Sequence, residues 1–227
     1  RDRAEYNDPR LSRAFITKQG TSGKEQAPGT ADNAVYAPNG TPEQGTSKYG
    51  TSLFMYSISA PTLLLSYHEL KFLEAEALCR LERDAKSALK DAVVAGLLNA
   101  ENSFTISRKE LGKTLINAAS SITEAEAESY FDNTIEAKYT AEPLKTTMTQ
   151  KYFALWGASG EATESYNDVR RMKGLGENFI ELKNPNSFPL RCPYGNSDTT
   201  TNAEVKAAYG NGQYVYSENV WWAGGSR

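Results

Sequence analysis

Two consecutive segments decide the fold: Met148–Gly157, which reads MTQKYFALWG, and Glu164–Met172, which reads ESYNDVRRM. In and just before the first segment, apolar side chains recur at spacings of four, four and three, at Leu144, Met148, Tyr152 and Leu155. This spacing places them along one face of a helix. Gly157 and Gly160 follow directly and are expected to end that helix.

A second helix is predicted by the same kind of apolar stripe at Ala162, Tyr166 and Val169. Arg170 and Arg171 fall in its last turn, where positive charge suits the helix dipole. We expect these arginines to bond Asp168 or the carbonyl groups of neighbouring loops. Gln150 and Lys151 belong to the same helical hairpin and are interpreted as scaffold. The two segments therefore predict an α-helical hairpin with a basic end.

Further segments also match sequence motifs of one known protein family, and they occur along the chain in the same order as in that family. They are Asp8–Leu11 (DPRL), Pro38–Gly40, the long segment Pro61–Ala77, Phe188–Tyr194, Asn202 and Val220–Trp222. With the Gln-Lys-Tyr-x-Ala-Leu helix and the Arg-Arg pair, the chain resembles the SusD/RagB family of outer-membrane nutrient-binding lipoproteins. Cys192, Gly195 and Asp198 depart from the usual family residues, and all three lie in one loop.

The resemblance implies a mainly α fold of tetratricopeptide-like helical hairpins with long irregular loops. It also implies a function: a lipid-anchored protein on the surface of the outer membrane of a Bacteroidetes-type bacterium captures oligosaccharide nutrients. The ligand would pass to a SusC-like TonB-dependent transporter. No enzyme activity and no cofactor are implied.

In the family, a lipoprotein signal peptide and an N-terminal half come before the part that matches here. We therefore expect residues 1–227 to be a single SusD-like portion without that half. The alternative, a complete small helical domain, stays open. A portion of this kind is expected to expose apolar helix faces.

Composition limits the possible classes of protein. A chain of 227 residues with 39% hydrophobic residues can bury a packed core, and a net charge of −3 gives no reason to expect nucleic acid as a partner. No run of apolar residues approaches the roughly 18 that a membrane-spanning helix needs. Cys79 and Cys192 could form one disulfide or remain two free thiols, and we favour free thiols.

Three regions are distinguished along the chain. Residues 12–60 are rich in Gly, Ser, Thr, Pro and Asn and predict a long irregular excursion, with at most short strands near 34–37 and 52–59. Residues 61–173 form the predicted helical core. Residues 174–227 predict C-terminal loops with a short helix near Ala203–Tyr209.

Within the helical core, Pro61 fits the first turn of a helix that runs to about Arg83. This helix is expected to be buried on a wide face by Leu64, Leu65, Phe72, Leu73, Ala77 and Leu81. Asp84 is a plausible cap for the next helix, whose apolar spacing covers Ala85, Ala88, Leu89, Ala92, Val93, Gly96 and Leu97. Capping boxes at Ser107–Glu110 and Thr123–Glu126 predict two later helix starts.

Catalytic and metal sites find little support in the sequence. His68 is the only histidine, and its position on the long helix favours a packed or hydrogen-bonded role. Glu69, Glu74 and Glu76 are judged to share no helical face well, so no metal site is predicted. A pair of glycosidase-type carboxylates stays possible, because separation in space is not visible in a sequence. We predict no catalytic residue.

Recognition by stacking is the remaining hypothesis, because 13 tyrosines and three tryptophans can supply both a core and an aromatic platform for sugar rings. The predicted ligand-binding residues are Tyr36, Asn39 and Tyr49, which lie in the irregular excursion. Trp156, Trp221 and Trp222 are expected to be structural. The alternatives are a peptide-binding member of the same family, a surface glycan hydrolase and a purely structural scaffold.

Overall fold

The computed structural model describes residues 6–19, 24–26, 51–56, 58–111, 115–116, 121–181 and 188–225. The described chain is mainly α-helical, with nine α-helices and four short strands. It divides into a helical unit of residues 1–37 and 43–181 and a C-terminal unit of residues 38–42 and 182–227. The expected mainly α fold is therefore confirmed.

The N-terminal segment of the helical unit forms helix α1 (Arg10–Ala14), in which the DPRL turn is the cap. Asp8 accepts a hydrogen bond from the Arg10 backbone N–H at 2.9 Å and pairs with the buried Arg10 guanidinium at 2.7 Å. Arg10 also donates to the carbonyl oxygen of Phe153 at 3.0 Å. The DPRL turn is thereby fixed to the QKYFAL helix, 143 residues further along the chain.

A small sheet follows α1, with strands β1 (Phe15–Gln19), β2 (Lys24–Gln26), β3 (Thr51–Ser52) and β4 (Leu115–Ile116) in the order β3-β1-β2-β4. Strands β1 and β2 are antiparallel, as are β1 and β3, whereas β2 and β4 are parallel. Strand β3 and the 3₁₀ turn Leu53–Tyr56 cover part of the predicted strand near 52–59.

Helix α2 (Tyr67–Arg80) begins six residues later than Pro61, so the predicted start was wrong. Ser66 is the cap, because its hydroxyl accepts a hydrogen bond from the Glu69 N–H at 3.1 Å. The Ser66 N–H donates in turn to the Glu161 carboxylate. The signal was present in the sequence, since Ser66 and Glu69 have capping-box spacing.

The wide buried face expected for this helix is only partly present. Phe72 is 1% exposed and packs in the main core, together with Ala75. The other apolar residues of the prediction are exposed, and these are Leu64, Leu65, Leu73, Ala77 and Leu81. Within the described residues, α2 packs mainly against the helices α3 and α6 described below.

Helix α3 (Lys86–Leu111) confirms the predicted stripe, because all seven of its named positions are buried. Asp84 accepts a hydrogen bond from the Lys86 N–H at 3.0 Å, as expected of a cap. The capping box predicted at Ser107–Glu110 was wrong, since α3 continues through it. Ser107 is buried there and donates its hydroxyl to the carbonyl oxygen of Leu53 at 2.6 Å.

The second capping box is confirmed and starts helix α4 (Glu124–Tyr130). Thr123 accepts from the Glu126 N–H at 3.2 Å, and the Glu126 carboxylate accepts from the Thr123 N–H at 2.8 Å. A π-helical turn, Phe131–Ile135, continues into helix α5 (Glu136–Ala141). The turn buries Phe131 and Ile135 completely in the main core.

The hairpin predicted from the opening segments is confirmed. Helix α6 (Pro143–Ala154) leads through the 3₁₀ turn Ser159–Thr163 into helix α7 (Glu164–Gly174). Gly157 has a φ of +77°, and a Cβ there would lie 2.3 Å from the Phe54 ring. A glycine is therefore required by both the backbone and the packing. None of the described helices combines the length and hydropathy needed to span a membrane.

The C-terminal unit contains helices α8 (Asn196–Thr201) and α9 (Ala203–Tyr209), the second of which confirms the predicted short helix. Asn202 caps α9 by accepting from the backbone N–H groups of Glu204 and Val205. Tyr194 stacks on Tyr209 with ring centroids 4.4 Å apart. Cys79 and Cys192 are free thiols, as favoured from the sequence.

Candidate functional site

The three residues predicted to bind ligand, Tyr36, Asn39 and Tyr49, lie outside the described residues. Their role stays a prediction. Trp156 is confirmed as a core residue, because its ring packs edge-on against Phe54 at 4.8 Å. Trp221 does not fit the expected structural role, since it is 75% exposed.

A cleft of about 490 Å³ lies between α2, α6 and α7. Ten residues line it: Glu69, Leu73, Glu76, Ala77, Arg80, Lys151, Glu164, Asn167, Asp168 and Arg171. We call it the α2–α6–α7 cleft. Four of its charged residues are at least nine-tenths buried, namely Glu69, Glu76, Lys151 and Asp168. Charges at this depth are stable only when they are paired or neutralised, so their partners define the cleft.

One end of the cleft is closed by ion pairs around Glu76. Arg171 donates to both carboxylate oxygens of Glu76, and Arg80 donates to one of them at 2.7 Å. Arg80 also pairs with Glu177 at 2.8 Å, and Arg171 pairs with Asp168 at 2.8 Å. Although burial opposes ionisation, the hydrogen bonds from Arg171 and Arg80 lower the pKa of Glu76. This end joins α2 to α7 and keeps Glu76 ionised.

The floor of the cleft is the buried ion pair between Lys151 on α6 and Asp168 on α7, with 2.9 Å between Nζ and Oδ2. The Lys151 side chain is 2% exposed. Together with the pairs around Glu76, three cations and three carboxylates alternate along this network. The roles expected for Lys151 and Arg171 as scaffold, and the contact of Arg171 with Asp168, are thereby confirmed.

The opposite end of the cleft is acidic and lies around Glu69. Burial, followed by the neighbouring Glu161 carboxyl, raises the pKa of Glu69 to about 7, with Lys151 acting in the opposite direction. Glu161 is 2% exposed and lies 3.7 Å from the Nε2 atom of His68. Among the described residues, no arginine donates a hydrogen bond to Glu69, and with a pKa of about 7 its carboxyl is about half protonated at neutral pH and can donate as well as accept hydrogen bonds.

His68 is buried as expected, with its Nε2 atom 3.3 Å from the Ser66 hydroxyl. Burial lowers its pKa, against the attraction of Glu161. The imidazole is therefore neutral near pH 7 and serves as a packed hydrogen-bonding group.

The hydrolase alternative is not favoured by the paired carboxyls at this end. The Glu161 side chain lies within hydrogen-bonding reach of the Glu69 carboxyl and contributes to its raised pKa. Glycosidase carboxyls are held about 5 to 5.5 Å apart in retaining enzymes and about 6.5 to 9.5 Å apart in inverting ones. Groups in hydrogen-bond contact leave no room for a sugar or a water molecule between them. The arrangement can bind polar groups but does not match that chemistry.

A second cleft of about 480 Å³ lies along α2, α3 and α4. Its lining consists of Tyr67, Lys90, Asp91, Val94, Ala95, Leu98, Glu124 and Glu128. Tyr67 is 60% exposed, with the Lys71 ammonium 5.9 Å from its ring centroid. An exposed aromatic ring beside charged hydrogen-bonding groups can stack on a sugar ring.

Sequence reasoning missed the α2–α6–α7 cleft. Glu69 and Glu76 were judged to share no helical face, yet both line the cleft from α2. Their separation of seven residues is two helical turns, so the spacing already contained the signal. Glu161 could not be found in this way, because it comes from a 3₁₀ turn that follows α6.

Comparison with known proteins agrees with this architecture. A family profile described as "SusD-like_2: Starch-binding associating with outer membrane" matches residues 3–194. The chain belongs to the SusD/RagB family. Its sequence is 64% identical to a SusD/RagB family protein from Bacteroides thetaiotaomicron VPI-5482 of solved structure, with a TM-score of 0.88. No curated protein matches the sequence.

The similarity to the Bacteroides protein covers 100% of this chain and 49% of that chain. The chain thus spans about half the length of its solved relative. The matching profile describes starch-binding proteins that associate with the outer membrane, and SusD/RagB proteins are binding proteins rather than enzymes.

Proposed function

We propose that this chain binds oligosaccharides at the bacterial cell surface and delivers them to a SusC-like TonB-dependent transporter. The observation that supports this most is the starch-binding family match over residues 3–194. A lipid anchor outside residues 1–227 would hold the protein at the outer membrane. Binding would be reversible and would leave the ligand chemically unchanged.

For the ligand contacts we propose Tyr36, Asn39 and Tyr49, as the sequence predicts. Aromatic rings pack against the C–H faces of sugars, and an amide can bond their hydroxyl groups. Trp221 is added as a second candidate, because an exposed tryptophan in a C-terminal loop can serve as a stacking surface.

The direct test is calorimetric titration of the chain with maltoheptaose and with a panel of other soluble oligosaccharides. A pool of short peptides is titrated in parallel. Heat released with a glycan and none with the peptides supports the proposal. Binding of peptides alone would support the peptide-binding alternative, and release of reducing sugar from a polysaccharide would support the hydrolase.

The site is tested with Tyr36→Ala and Tyr49→Ala, each expected to weaken glycan binding about tenfold or more, which is the loss of about 1.4 kcal/mol. The matched control is Tyr216→Ala, an exposed tyrosine outside the excursion. If only Trp221→Ala reduces binding, the C-terminal loop is the site and the excursion is not.

Delivery is tested by co-purification of the membrane-anchored protein with a TonB-dependent transporter encoded next to it. A stable complex that imports the bound glycan supports this step. Glycan binding without any transporter complex would restrict the function to capture alone.

A further inference from the structure

The positive charge that lines the α2–α6–α7 cleft is already used within the cleft itself. Lys151 pairs with Asp168 at 2.9 Å. Arg171 and Arg80 both bond Glu76, at the same end of the cleft. Each of these three cations thus has a carboxylate of its own network as partner. Within the described part of the chain, none of the three donates a hydrogen bond to the opposite, acidic end.

The acidic end contains three carboxyl groups that influence one another. Glu69 lines the cleft from α2 and is 6% exposed, and Glu164 lines it from α7, where the Asn167 amide donates to it at 3.2 Å. Glu161 lies beside Glu69, and its Oε2 atom is buried without a hydrogen-bond donor in the structure. The nearby His68 is neutral near pH 7, because burial lowers its pKa. Negative charge at this end is therefore left uncompensated.

A buried carboxylate without a donor is costly, so the acidic end takes up either a proton or a cation. Burial raises the pKa of Glu69 most, the carboxyls of Glu161 and Glu164 raise it further, and Lys151 lowers it, so that it lies at about 7. The proton is therefore held only weakly at neutral pH. A cation that reaches Glu69 through the cleft can displace it.

The lining of the cleft favours an organic cation over a metal ion. No group of three ligating side chains arranged for a metal is found among the described residues. An ammonium group carries three N–H donors and can bond several carboxyl oxygens at once. The volume of about 490 Å³ leaves room for a carrier as large as a sugar or an amino acid. Leu73, which is 41% exposed, and Asn167 line the same cleft and can contact the C–H and polar groups of the carrier.

We propose that the Glu69 end of the α2–α6–α7 cleft is a binding site for the primary ammonium group of a small molecule. The ammonium takes the place of the Glu69 proton, which is released to solvent as the carboxylate forms. Amino sugars and amino acids both present such a group, and they differ in what surrounds it. The site lies outside the excursion that contains Tyr36 and Tyr49, and it does not depend on the proposed glycan function.

Calorimetric titration of the chain at about pH 6.5 with glucosamine, and with N-acetylglucosamine as its neutral counterpart, tests the site. Glucosamine should bind with a dissociation constant on the order of 1 mM, and N-acetylglucosamine at least about tenfold more weakly, because it lacks the charge. Titrations in buffers of different ionisation enthalpy measure the protons released. Between about 0.5 and 1 proton should leave per glucosamine bound, since a carboxyl with a pKa of about 7 is largely protonated at this pH.

Lysine amide is titrated in the same way to distinguish the two sources of the ammonium. Binding as tight as that of glucosamine, with the same proton release, assigns the site to primary ammonium groups in general. Weaker binding of lysine amide assigns it to amino sugars.

The variant Glu69→Gln should weaken glucosamine binding at least about tenfold and abolish the proton release. It retains the shape and hydrogen bonding of the protonated acid, so it is expected to fold. The matched control is Glu74→Gln, an exposed glutamate of the same helix that pairs with Lys71, and it should leave both measurements unchanged. Absence of binding by both amines, equal binding of glucosamine and N-acetylglucosamine, or binding that Glu69→Gln leaves intact would overturn the proposal. Maltoheptaose carries no ammonium, so its titration reports on the proposed function alone.

Discussion

Glu69 and Glu76 lie two turns apart on the same helix, and both are more than nine-tenths buried. Their pKa values are nevertheless shifted in opposite directions. Two arginines, Arg171 and Arg80, bond Glu76 and lower its pKa. Glu69 faces another carboxyl, that of Glu161, and burial raises its pKa to about 7. Both glutamates lie on α2, so their partners make the difference: Arg171 of α7 and Arg80 of α2 for Glu76, and Glu161 of the 3₁₀ turn for Glu69.

The Glu76 end of the α2–α6–α7 cleft is the part that serves as scaffold. At the Glu76 end, every charge has an opposite partner, and the network holds α2 against α7. At the Glu69 end, a protonated acid takes the place of an ion pair. Substitutions at the Glu76 end should therefore lower the free energy of unfolding. A neutral replacement of Glu69 should instead raise it at pH 8.

The largest effect is expected for Lys151→Ala, which removes the buried cation of Asp168 and leaves the half-exposed Arg171 beside that carboxylate. Removing one partner of a buried ion pair costs about 3 to 5 kcal/mol, and the contact with Arg171 that remains places the loss at the lower end of this range. The free energy of unfolding at pH 7, measured by urea denaturation, should fall by that amount. The control is Lys90→Ala, whose pair with Asp132 is exposed, so its loss should change the free energy of unfolding much less. A loss for Lys151→Ala as small as that of the control would contradict a buried network.

Glu76→Gln should come next, with a loss of about 2 to 3 kcal/mol at pH 7, because its three charge-assisted hydrogen bonds from Arg171 and Arg80 are weakened. The pKa of Glu76 is lowered in the folded protein, so its stabilisation is present above its ordinary pKa of 4.5 and is lost as the pH falls. Wild type and variant should therefore converge as the pH falls below 4.5. A difference that stays constant between pH 7 and pH 3 would show that charge is not the cause.

Glu69→Gln should have the opposite sign. The folded pKa of about 7 exceeds the ordinary value of 4.5, so the folded protein binds the proton more tightly and wild-type stability falls as the pH rises between these values. Glutamine mimics the protonated acid at every pH. The variant should be roughly 1 to 3 kcal/mol more stable than wild type at pH 8 and nearly equal at about pH 4, below the ordinary pKa.

The control for this profile is Glu74→Gln, an exposed residue of α2 paired with Lys71. It should change stability by less than about 1 kcal/mol at both pH values. If Glu69→Gln destabilised the protein at pH 8, Glu69 would be ionised and paired there, and the contrast between the two ends would disappear.

The helical hairpin and the long helices were predictable because local spacing determines them. Met148 and Val169 are buried where the stripe placed them, and Thr123 caps a helix as its spacing indicated. The family assignment followed from the same local segments. The start of α2 at Ser66 was also readable, but the proline at position 61 was given more weight.

The errors arose where tertiary contacts override local signals. Ser107 has the spacing of a capping box, but the carbonyl of Leu53 takes its hydroxyl and the helix runs on. The pairing of Glu76 with Arg171 joins residues 95 positions apart, which no local pattern indicates. The exposure of Leu73 and Leu81 depends on which surfaces have a neighbour, and periodicity alone cannot supply that.

The smallest effect is expected for Arg80→Gln, which separates the contribution of Arg80 from that of Arg171 at the Glu76 end. Arg80 is 29% exposed and bridges Glu76 and Glu177, but Arg171 continues to bond Glu76 when Arg80 is lost. The loss at pH 7 should be less than about 1 kcal/mol. Combined with Glu76→Gln, the double variant should lose about 0.5 to 1 kcal/mol less than the sum of the single variants, because the two residues share one contact. Strict additivity in that cycle would mean that Arg171 alone neutralises Glu76, and that Arg80 serves Glu177 instead.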